Sequence, residues 1–206
     1  MDFKELVEQR RSANNFLDGV ELTEVELKEI FNDVKYAPSA FNLQHVNYIV
    51  VLDQELKNKI NDKASGQYKI KTASALIFVV GNRYAYKDVR RLNEGMVNLR
   101  VITESELEEL VQYQTAFYEE RGEQFMKDEA IRNASLSAMF FMLAAKNRGW
   151  DTCPMIGFDS EKVRELLAIP QGQEPVLMIT IGKEKIESRR LRGYRKPVDE
   201  FVQIIK

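Results

Sequence analysis

An uncharged stretch runs from Asn133 to Ala145, and its apolar side chains fall on every side of a helical wheel. A helix that is apolar all round is predicted to be buried all round. At 13 residues the uncharged run is too short to cross a bilayer. We expect Asp128 to be the N-cap and Gly149 to supply the left-handed residue after the last turn. The simplest interpretation is an ordinary core helix, and a more specific one is that part of its surface meets a second subunit.

Hydrophobic periodicity predicts the remaining helices and strands. Helices are expected over Phe3 to Gln9, from a Thr23–Glu26 capping box to about Tyr36, over Asp53 to Ala64, and over Ser160 to Leu167 behind an Asp159 N-cap. Strands are expected over Asn47 to Leu52, Ala73 to Val80, a short segment ending at Pro154, and Glu174 to Gly182. The run from Ala73 to Val80 is unbroken and apolar, so it needs cover on both faces.

Residues 83 to 127 differ from this pattern, because they are charged, helical and rich in aromatic side chains. We interpret them as a peripheral helical excursion within a single domain that spans residues 1–206. The four glutamates between Glu104 and Glu109 are interpreted as a solvated face. The aromatic residues, Tyr113 and Phe117 among them, either form a lid or pack the excursion onto the body, and we favour packing.

Composition limits the partners and the compartment. Apolar residues make up 44% of the chain, and the formal net charge is −2, which predicts binding to neither nucleic acid nor a membrane. The N-terminus carries no apolar signal segment, and a single cysteine cannot form a disulfide framework. These features predict a cytoplasmic protein.

Residue counts also exclude several kinds of active site. One histidine, His45, and one cysteine, Cys153, are too few for a typical zinc site, and no nucleophile elbow is present. Neither the dinucleotide-binding fingerprint nor a P-loop occurs among the glycines. We expect His45 to be structural or solvated and Cys153 to be a small buried hydrophobe. If the chain is an enzyme, a cofactor supplies its reactive group.

Three polar segments are candidates for binding. Arg10, Arg11 and Ser12 follow the first helix, and guanidinium and hydroxyl groups suit a phosphate, although a solvated basic turn has the same composition. Ser39, Asn42 and Gln44 lie in an irregular loop after Pro38, where they either bind a ligand or satisfy the loop's own backbone. The segment 183–196 holds seven Lys or Arg against two Glu. Together with the first segment, this tail is a second contributor to one anion site.

Four motifs in the same order identify the chain as similar to a known family. They are Arg-Arg-Ser-x-x-x-Phe near residue 10, Ala-Pro-Ser-Ala-x-Asn-x-Gln near residue 40, Pro-Met-Ile-Gly-Phe-Asp near residue 157, and Arg-x-Pro near residue 196. Together they resemble the FMN-dependent, NAD(P)H-using bacterial nitroreductases, in particular the small Bacillus-type members associated with quinone and nitroaromatic stress. The resemblance covers essentially the whole chain.

This resemblance implies an α+β fold in which helices wrap a mixed central sheet. It also implies an obligate homodimer with exchanged C-terminal tails and one FMN in each of two interface sites. The residues implied to bind the flavin are Arg10, Arg11, Ser12, Arg192 and Arg195 at the phosphate and ribityl chain; Pro38, Ser39, Ala40, Asn42 and Gln44 from the partner's loop; Asn14 and Gln67 at the pyrimidine edge; and Pro154, Met155, Ile156 and Gly157 along the isoalloxazine.

The implied reaction is a ping-pong transfer in which NAD(P)H reduces the flavin and a nitroaromatic or quinone then takes the electrons. No side chain need act as an acid or base. Two departures from the family pattern affect potential and substrate range: Asn14 replaces the usual Arg or Lys, and Gln44-His45-Val46 replaces Gln-Pro-Trp. The alternatives are a non-catalytic flavin-binding or sensing protein and a flavin-destroying or dehalogenating relative.

Overall fold

The computed structural model describes all 206 residues, Met1 to Lys206. Its helices are α1 (Phe3–Gln9), α2 (Glu24–Val34), α3 (Gln54–Ile60), α4 (Lys69–Thr72), α5 (Val89–Asn98), α6 (Glu104–Glu119), α7 (Gly122–Asn147) and α8 (Ser160–Leu166). Its strands are β1 (Val46–Val51), β2 (Ala75–Asn82), β3 (Asp151–Met155) and β4 (Gln173–Gly182). The predicted elements are therefore present, with boundaries that differ by a few residues. The α+β class is confirmed, whereas the strands of the sheet pair only antiparallel and do not form the expected mixed sheet.

The four strands form one sheet in the order β1-β2-β4-β3, and every pair of neighbours is antiparallel. The only parallel pairing is an isolated β-bridge between Ser12 and Thr152, on the outer side of β3. Strand β3 lies at the edge of the sheet, where Pro154 costs no internal ladder bond. The segment that follows α1 is thereby attached to this edge.

Strand β2 lies inside the sheet, and its residues from Ala75 to Gly81 are buried. On one face, Ile77 and Ile179 pack against α2 and α7. On the other face, Phe78 and Met178 pack with residues of α3, α4 and α8. The prediction that this strand needs cover on both faces is confirmed.

Helix α7 is 26 residues long and begins six residues before the expected N-cap. Asp128 is therefore not an N-cap; it lies inside the helix and accepts a hydrogen bond from Gln124, 2.8 Å away. The break lies at Gly122, whose φ of 76° ends the preceding helix, and no residue after it interrupts the helical pattern. The last residues of the excursion, 122–127, therefore belong to α7. Gly149 adopts the expected left-handed conformation, with φ of 75°.

The central helix is not buried on all sides within one chain. Leu136, Met139 and Phe140 are 46%, 40% and 39% exposed and form one stripe along α7. Together with Phe3 and Leu6 of α1 they line an apolar groove of about 680 Å³. The opposite side of α7 packs on the sheet through small residues, and the carbonyl oxygen of Ala130 would lie 2.7 Å from any side chain placed at Gly81. The other side of the groove is open in the single chain.

The excursion packs onto the body through aromatic side chains, as we favoured. Within the excursion, the rings of Tyr86 and Tyr118 stack with centroids 5.1 Å apart. Toward the body, Phe117 lies 5.1 Å from the ring of Phe41, and Tyr118 lies 6.1 Å from the ring of His45. The acidic face of α6 is solvated as expected, and two of its glutamates, Glu104 and Glu108, pair with Arg90.

His45 lies beneath this aromatic cluster and is almost completely buried. Its Nε2 is 3.1 Å from the hydroxyl of Tyr118, whereas Nδ1 has no hydrogen-bond partner. Burial lowers the pKa of His45 from 6.5 to about 4, because the charged ring would lose its hydration. The single histidine is therefore structural, one of the two roles expected.

This burial makes the stability of the protein sensitive to acid. Between the ordinary pKa of 6.5 and about 4, the unfolded chain binds a proton at His45 that the folded chain does not, so stability decreases as the pH falls through this window. We expect the free energy of unfolding to decrease by about 2 kcal/mol between pH 7 and pH 5 through this group. His45→Gln should remove that part of the pH dependence. Urea unfolding of both proteins at the two pH values measures it, and parallel curves would contradict the assignment.

Candidate functional site

The two ends of the chain meet at a cationic cavity beside β3. The cavity has a volume of about 240 Å³ and is lined by six cationic side chains and no acidic one. The cations are Arg10, Arg11, Lys69, Arg190, Arg192 and Arg195. Ser12 and Asn14 complete its polar lining. The N-terminal segment and the tail, which we expected to contribute to one anion site, are therefore neighbours in space.

The N-terminal side of the cavity is positioned by the edge of the sheet. Helix α1 ends where the backbone N–H of Arg10 donates to the carbonyl of Leu6. The chain then runs beside β3, and the N–H of Ala13 donates to the carbonyl of Thr152 at 2.9 Å. Because this pairing fixes the backbone, the side chains of residues 10–12 are presented at one end of the strand.

The tail is held to the same region by backbone pairing and by an ion pair to a buried carboxylate. After β4, the N–H of Lys185 donates to the carbonyl of Asn15 at 2.9 Å. The side chain of Glu184 is buried, and Arg189 donates to it from Nε at 2.7 Å. The chain turns over Ile186–Ser188 and continues past α1, where the guanidinium of Arg192 donates to backbone carbonyls of the N-terminal segment.

The cluster of cations is electrostatically unfavourable by itself. The pKa of Arg10 is lowered, first by burial and then by the charges of Arg192 and Arg195, while Cys153 opposes the shift. Guanidinium groups match the geometry of phosphate and carboxylate oxygens. An anion with several oxygens would relieve the repulsion, so the donor set fits a phosphate group.

The second part of the site is formed by the segment after β3 and the end of α3. Helix α3 continues as a π-turn over Asn61–Ser65, and the hydroxyl of Ser65 donates to the carbonyl of Gly157 at 2.9 Å. The Nε2 of Gln67 lies so close to Gly157 that a Cβ there would be 2.8 Å away. A side chain at residue 157 would therefore displace the amide end of Gln67. Beside it, Ile156 is 81% exposed, which leaves an open apolar surface along the strand end.

Lys69 connects the two parts. Its Nζ is 3.2 Å from the sulfur of Cys153 and 3.5 Å from the carbonyl oxygen of Ala13, and it lines the cationic cavity together with Asn14. Cys153 itself is buried, as expected. Lys71, by contrast, is exposed and lies 4.0 Å from Asp62. A cation is therefore present beside the neutral Asn14, and Lys69 supplies it.

The loop over residues 38–44 does not reach the cationic cavity of its own chain. Pro38, Ser39 and Gln44 instead line a separate cavity of about 210 Å³, together with residues of α2, β1 and α7. Ala40 and Asn42 form one turn of 3₁₀ helix at the surface. Of the remaining predicted site residues, Pro154 is half-buried in β3 and Met155 packs in the core.

Sequence reasoning did not assign two of the cavity's cations to the site. Arg190 was part of the basic tail, and Lys69 was considered, with Lys71, only as an alternative source of the charge that Asn14 lacks. For Lys69, the available signal was its position two residues after Gln67. Arg190 could not be distinguished from its basic neighbours, because the path of the tail depends on tertiary contacts.

No group of three or more His, Cys, Asp or Glu side chains is arranged to hold a metal ion. None of the helices is both long and apolar enough to cross a membrane.

Comparison with known proteins gives consistent matches over most of the chain. Residues 7–183 match the model of the Nitroreductase family. The chain is 56% identical over 202 residues to MhqN of Bacillus subtilis (strain 168), named as a candidate NAD(P)H nitroreductase, and the match covers 98% of each protein.

Solved structures show the same fold. The crystal structure of ydfN from Bacillus subtilis, described as a candidate nitroreductase, superposes with a TM-score of 0.96 at 55% identity and covers 98% of each chain. A candidate nitroreductase from Exiguobacterium sibiricum in complex with FMN has a TM-score of 0.90 at 25% identity, covering 100% of this chain and 98% of its own. Family model, sequence relatives and fold agree, and the chain belongs to the Nitroreductase family.

Proposed function

We propose that the chain is an oxidoreductase that uses non-covalent FMN to pass electrons from NAD(P)H to nitroaromatic or quinone acceptors, by a ping-pong scheme and as a cytoplasmic homodimer. The observation that carries this proposal is the cationic cavity, in which both ends of the chain present guanidinium groups beside the segment that ends at Gly157. The FMN complex of the Exiguobacterium relative and the name of the Bacillus relative support the choice of flavin and reductant.

The residues present fit FMN part by part. Arg10, Arg11, Arg192 and Arg195, with Ser12, would hold the phosphate. Gln67 and the segment Pro154–Gly157 would face the ring system, because Ser65 fixes that segment and Gly157 keeps it close to the Gln67 amide. The exposed Ile156 offers an apolar surface next to these polar groups.

Bound FMN would supply the redox chemistry by accepting two electrons from NAD(P)H and releasing them to the acceptor. The chain's own residues bind and orient; none of the predicted site residues is placed as a general acid or base. Lys69 contributes a positive charge beside Asn14, where the family pattern would place Arg or Lys. Its charge would favour the reduced, more negative form of the flavin.

A second copy of the chain would complete the site. The apolar groove between α1 and α7 leaves Leu136, Met139 and Phe140 exposed, which is unusual for a stable single chain. The loop over residues 38–44 borders this groove through Pro38 but lies away from its own cationic cavity. We therefore propose that the groove is the dimer interface, that the loop reaches the partner's flavin, and that the tails are exchanged.

One experiment separates this proposal from its alternatives. The purified protein should be yellow, should bleach on anaerobic addition of NADH or NADPH, and should regain its colour when a quinone or nitroaromatic is added. A flavin-binding protein without turnover would stay yellow. A flavin-destroying relative would lose the flavin spectrum without recovery. Repeating the titration with several acceptors also ranks the substrate classes.

The first prediction is that FMN binding depends on both ends of the chain. Charge-assisted hydrogen bonds contribute about 1.5–3 kcal/mol each, so Arg10→Ala and Arg195→Ala should each weaken FMN binding roughly tenfold or more. Arg91→Ala is a matched control, because Arg91 is exposed and pairs with Asp88 on α5. Fluorescence titration of the deflavinated proteins measures the affinities. Wild-type affinity in both test variants would contradict the phosphate assignment.

The second prediction concerns assembly. If the groove is an interface, sedimentation should show a dimer at sub-micromolar concentration, and no folded, FMN-loaded monomer should be present. Phe140→Glu places a charge in the groove and should abolish the dimer together with FMN binding. Leu99→Glu changes another exposed apolar residue outside the groove and should leave the dimer intact. A folded, FMN-loaded Phe140→Glu monomer would refute the interface.

The third prediction concerns the potential of the bound flavin. A cation near the ring stabilises the reduced form by roughly 1–2 kcal/mol after solvent screening, which for two electrons corresponds to roughly 20–45 mV. Lys69→Met should therefore lower the midpoint potential by roughly that amount. Asn14→Arg should raise the potential by less, because Lys69 already supplies a charge. Spectroelectrochemistry distinguishes the two, and an unchanged potential in Lys69→Met would exclude Lys69 from the flavin's surroundings.

A further inference from the structure

The loop over residues 38–44 is held in an unfavourable backbone conformation. Phe41, Asn42 and Gln44 have φ values of 51°, 54° and 50°, in the left-handed region. Asparagine tolerates this region, but phenylalanine and glutamine do so only at a cost, because their Cβ crowds the backbone. Such a conformation persists only where surrounding contacts enforce it. The loop must therefore be tied down by specific neighbours.

Asn133 of α7 is the neighbour that ties the loop to the body. It is 4% exposed, and its Oδ1 accepts a hydrogen bond from the backbone N–H of Ala40 at 2.8 Å. Its Nδ2 donates to the carbonyl of Glu129 at 2.8 Å and to that residue's carboxylate at 3.3 Å. Because the amide nitrogen is occupied by two acceptors, the amide cannot flip, and its oxygen stays directed at the loop.

Two further contacts shape the loop, but neither of them connects it to α7. The hydroxyl oxygen of Ser39 accepts from the N–H of Gln44 at 2.9 Å, which closes the loop on itself. The ring of Phe41 lies edge-on to Phe117, with centroids 5.1 Å apart, which anchors the tip on α6. Asn133 thus fixes the start of the turn relative to the core of the protein.

We propose that Asn133 is a positioning residue that holds the loop over residues 38–44 in its strained form, ready to contact the flavin of the partner subunit. The inference rests on the proposed function, because it takes the loop's target to be FMN. It assigns to the buried amide a role in cofactor binding without direct contact. Asn133 acts through Ala40 alone, since its other hydrogen bonds stay within α7.

Asn133→Ala removes the tie and leaves the N–H of Ala40 without its partner. We expect FMN affinity to fall roughly 5- to 100-fold while the dimer persists. Ser137→Ala is the matched control, because Ser137 is buried on the same helix and its hydrogen bond goes to the Tyr48 hydroxyl at 2.7 Å. The control should lose stability but retain FMN affinity. An equal loss of affinity in both variants would show a general packing effect and overturn the proposal.

Asn133→Asp tests the role of the amide through the pH dependence of FMN affinity. This pH dependence would not change if Asn133 only packed against its neighbours. When protonated, the introduced carboxyl can accept from Ala40 and donate to the Glu129 carbonyl, as the amide does. When ionised, it can still accept from Ala40 but can no longer donate to the Glu129 carbonyl, and repulsion by the Glu129 carboxylate displaces it from this position and raises its pKa. The other charged or titratable groups near it are Arg132 on α7 and the cavity residues Lys35, His45 and Tyr48.

Relative to wild type, the FMN affinity of Asn133→Asp should therefore recover as the pH is lowered from about 8.5 to about 6. His45 stays neutral over this range, because its pKa is about 4. A ratio of affinities that is independent of pH, or wild-type affinity throughout, would contradict the role of the amide.

Mixed dimers test where the loop acts. Consider a dimer of one Arg10→Ala subunit and one Asn133→Ala subunit. If the loop serves the partner's flavin, the site that lacks Arg10 also receives the loop that lacks Asn133. Both changes then affect that one site, and the second site is intact. We expect one FMN per dimer at wild-type affinity. Two weakened sites would overturn delivery to the partner, and wild-type affinity in the Asn133→Ala homodimer would overturn the positioning role. Undiminished affinity in the Arg10→Ala homodimer would instead refute the proposed FMN site.

Discussion

The mutual repulsion of cations at the edge of the sheet is the constraint on which the proposed site depends. Two like charges about 4 Å apart repel by roughly 4 kcal/mol at the effective dielectric of a protein surface. Six cationic groups line the cavity and no carboxylate lies among them. The sheet edge holds Arg10 from one side, and the ion pair between Arg189 and the buried Glu184 holds the start of the tail on the other. Both anchors hold the cations in one region, and a bound anion is the direct way to offset their repulsion. A phosphate monoester, with several oxygens in a compact group, matches this arrangement.

A second constraint is that three features of the chain lack neighbouring contacts within a single copy. The apolar stripe on α7 is open to solvent, the loop over residues 38–44 is strained, and most of the segment after Arg189 is exposed. A second copy would address each of them, by covering the stripe, by giving the strained loop a ligand to contact, and by receiving the tail. The proposed homodimer therefore follows from the same chain properties as the proposed cofactor. Helix α7 takes part in both the proposed dimer and the proposed cofactor site, because one side of it forms the proposed interface and Asn133, on another side, holds the loop.

Features set by local chemistry could be predicted from the sequence. The Thr23–Glu26 capping box and the Asp53 cap mark helix starts, because their hydrogen bonds involve residues three positions apart. The predicted start at Asp128 was wrong, because an acidic residue can cap a helix or lie within it, and the choice was decided by Gly122 upstream. The choice of Lys69 over Lys71 and the conformation of the 38–44 loop could not be derived, since both depend on contacts between distant segments. The grouping of Arg10 with the basic tail was predicted, because the combination of two cationic segments indicated a shared anion.

The central claim is that the cationic cavity holds the phosphate of a flavin, and a comparison of FMN with riboflavin tests it most directly. Both ligands carry the same ring system, and only FMN carries the phosphate. Isothermal titration of the deflavinated protein should show FMN binding roughly 100-fold or more tighter than riboflavin, because at least two charge-assisted hydrogen bonds are lost with the phosphate. This advantage should shrink in Arg10→Ala. Equal affinity for the two ligands in the wild-type protein would contradict the account.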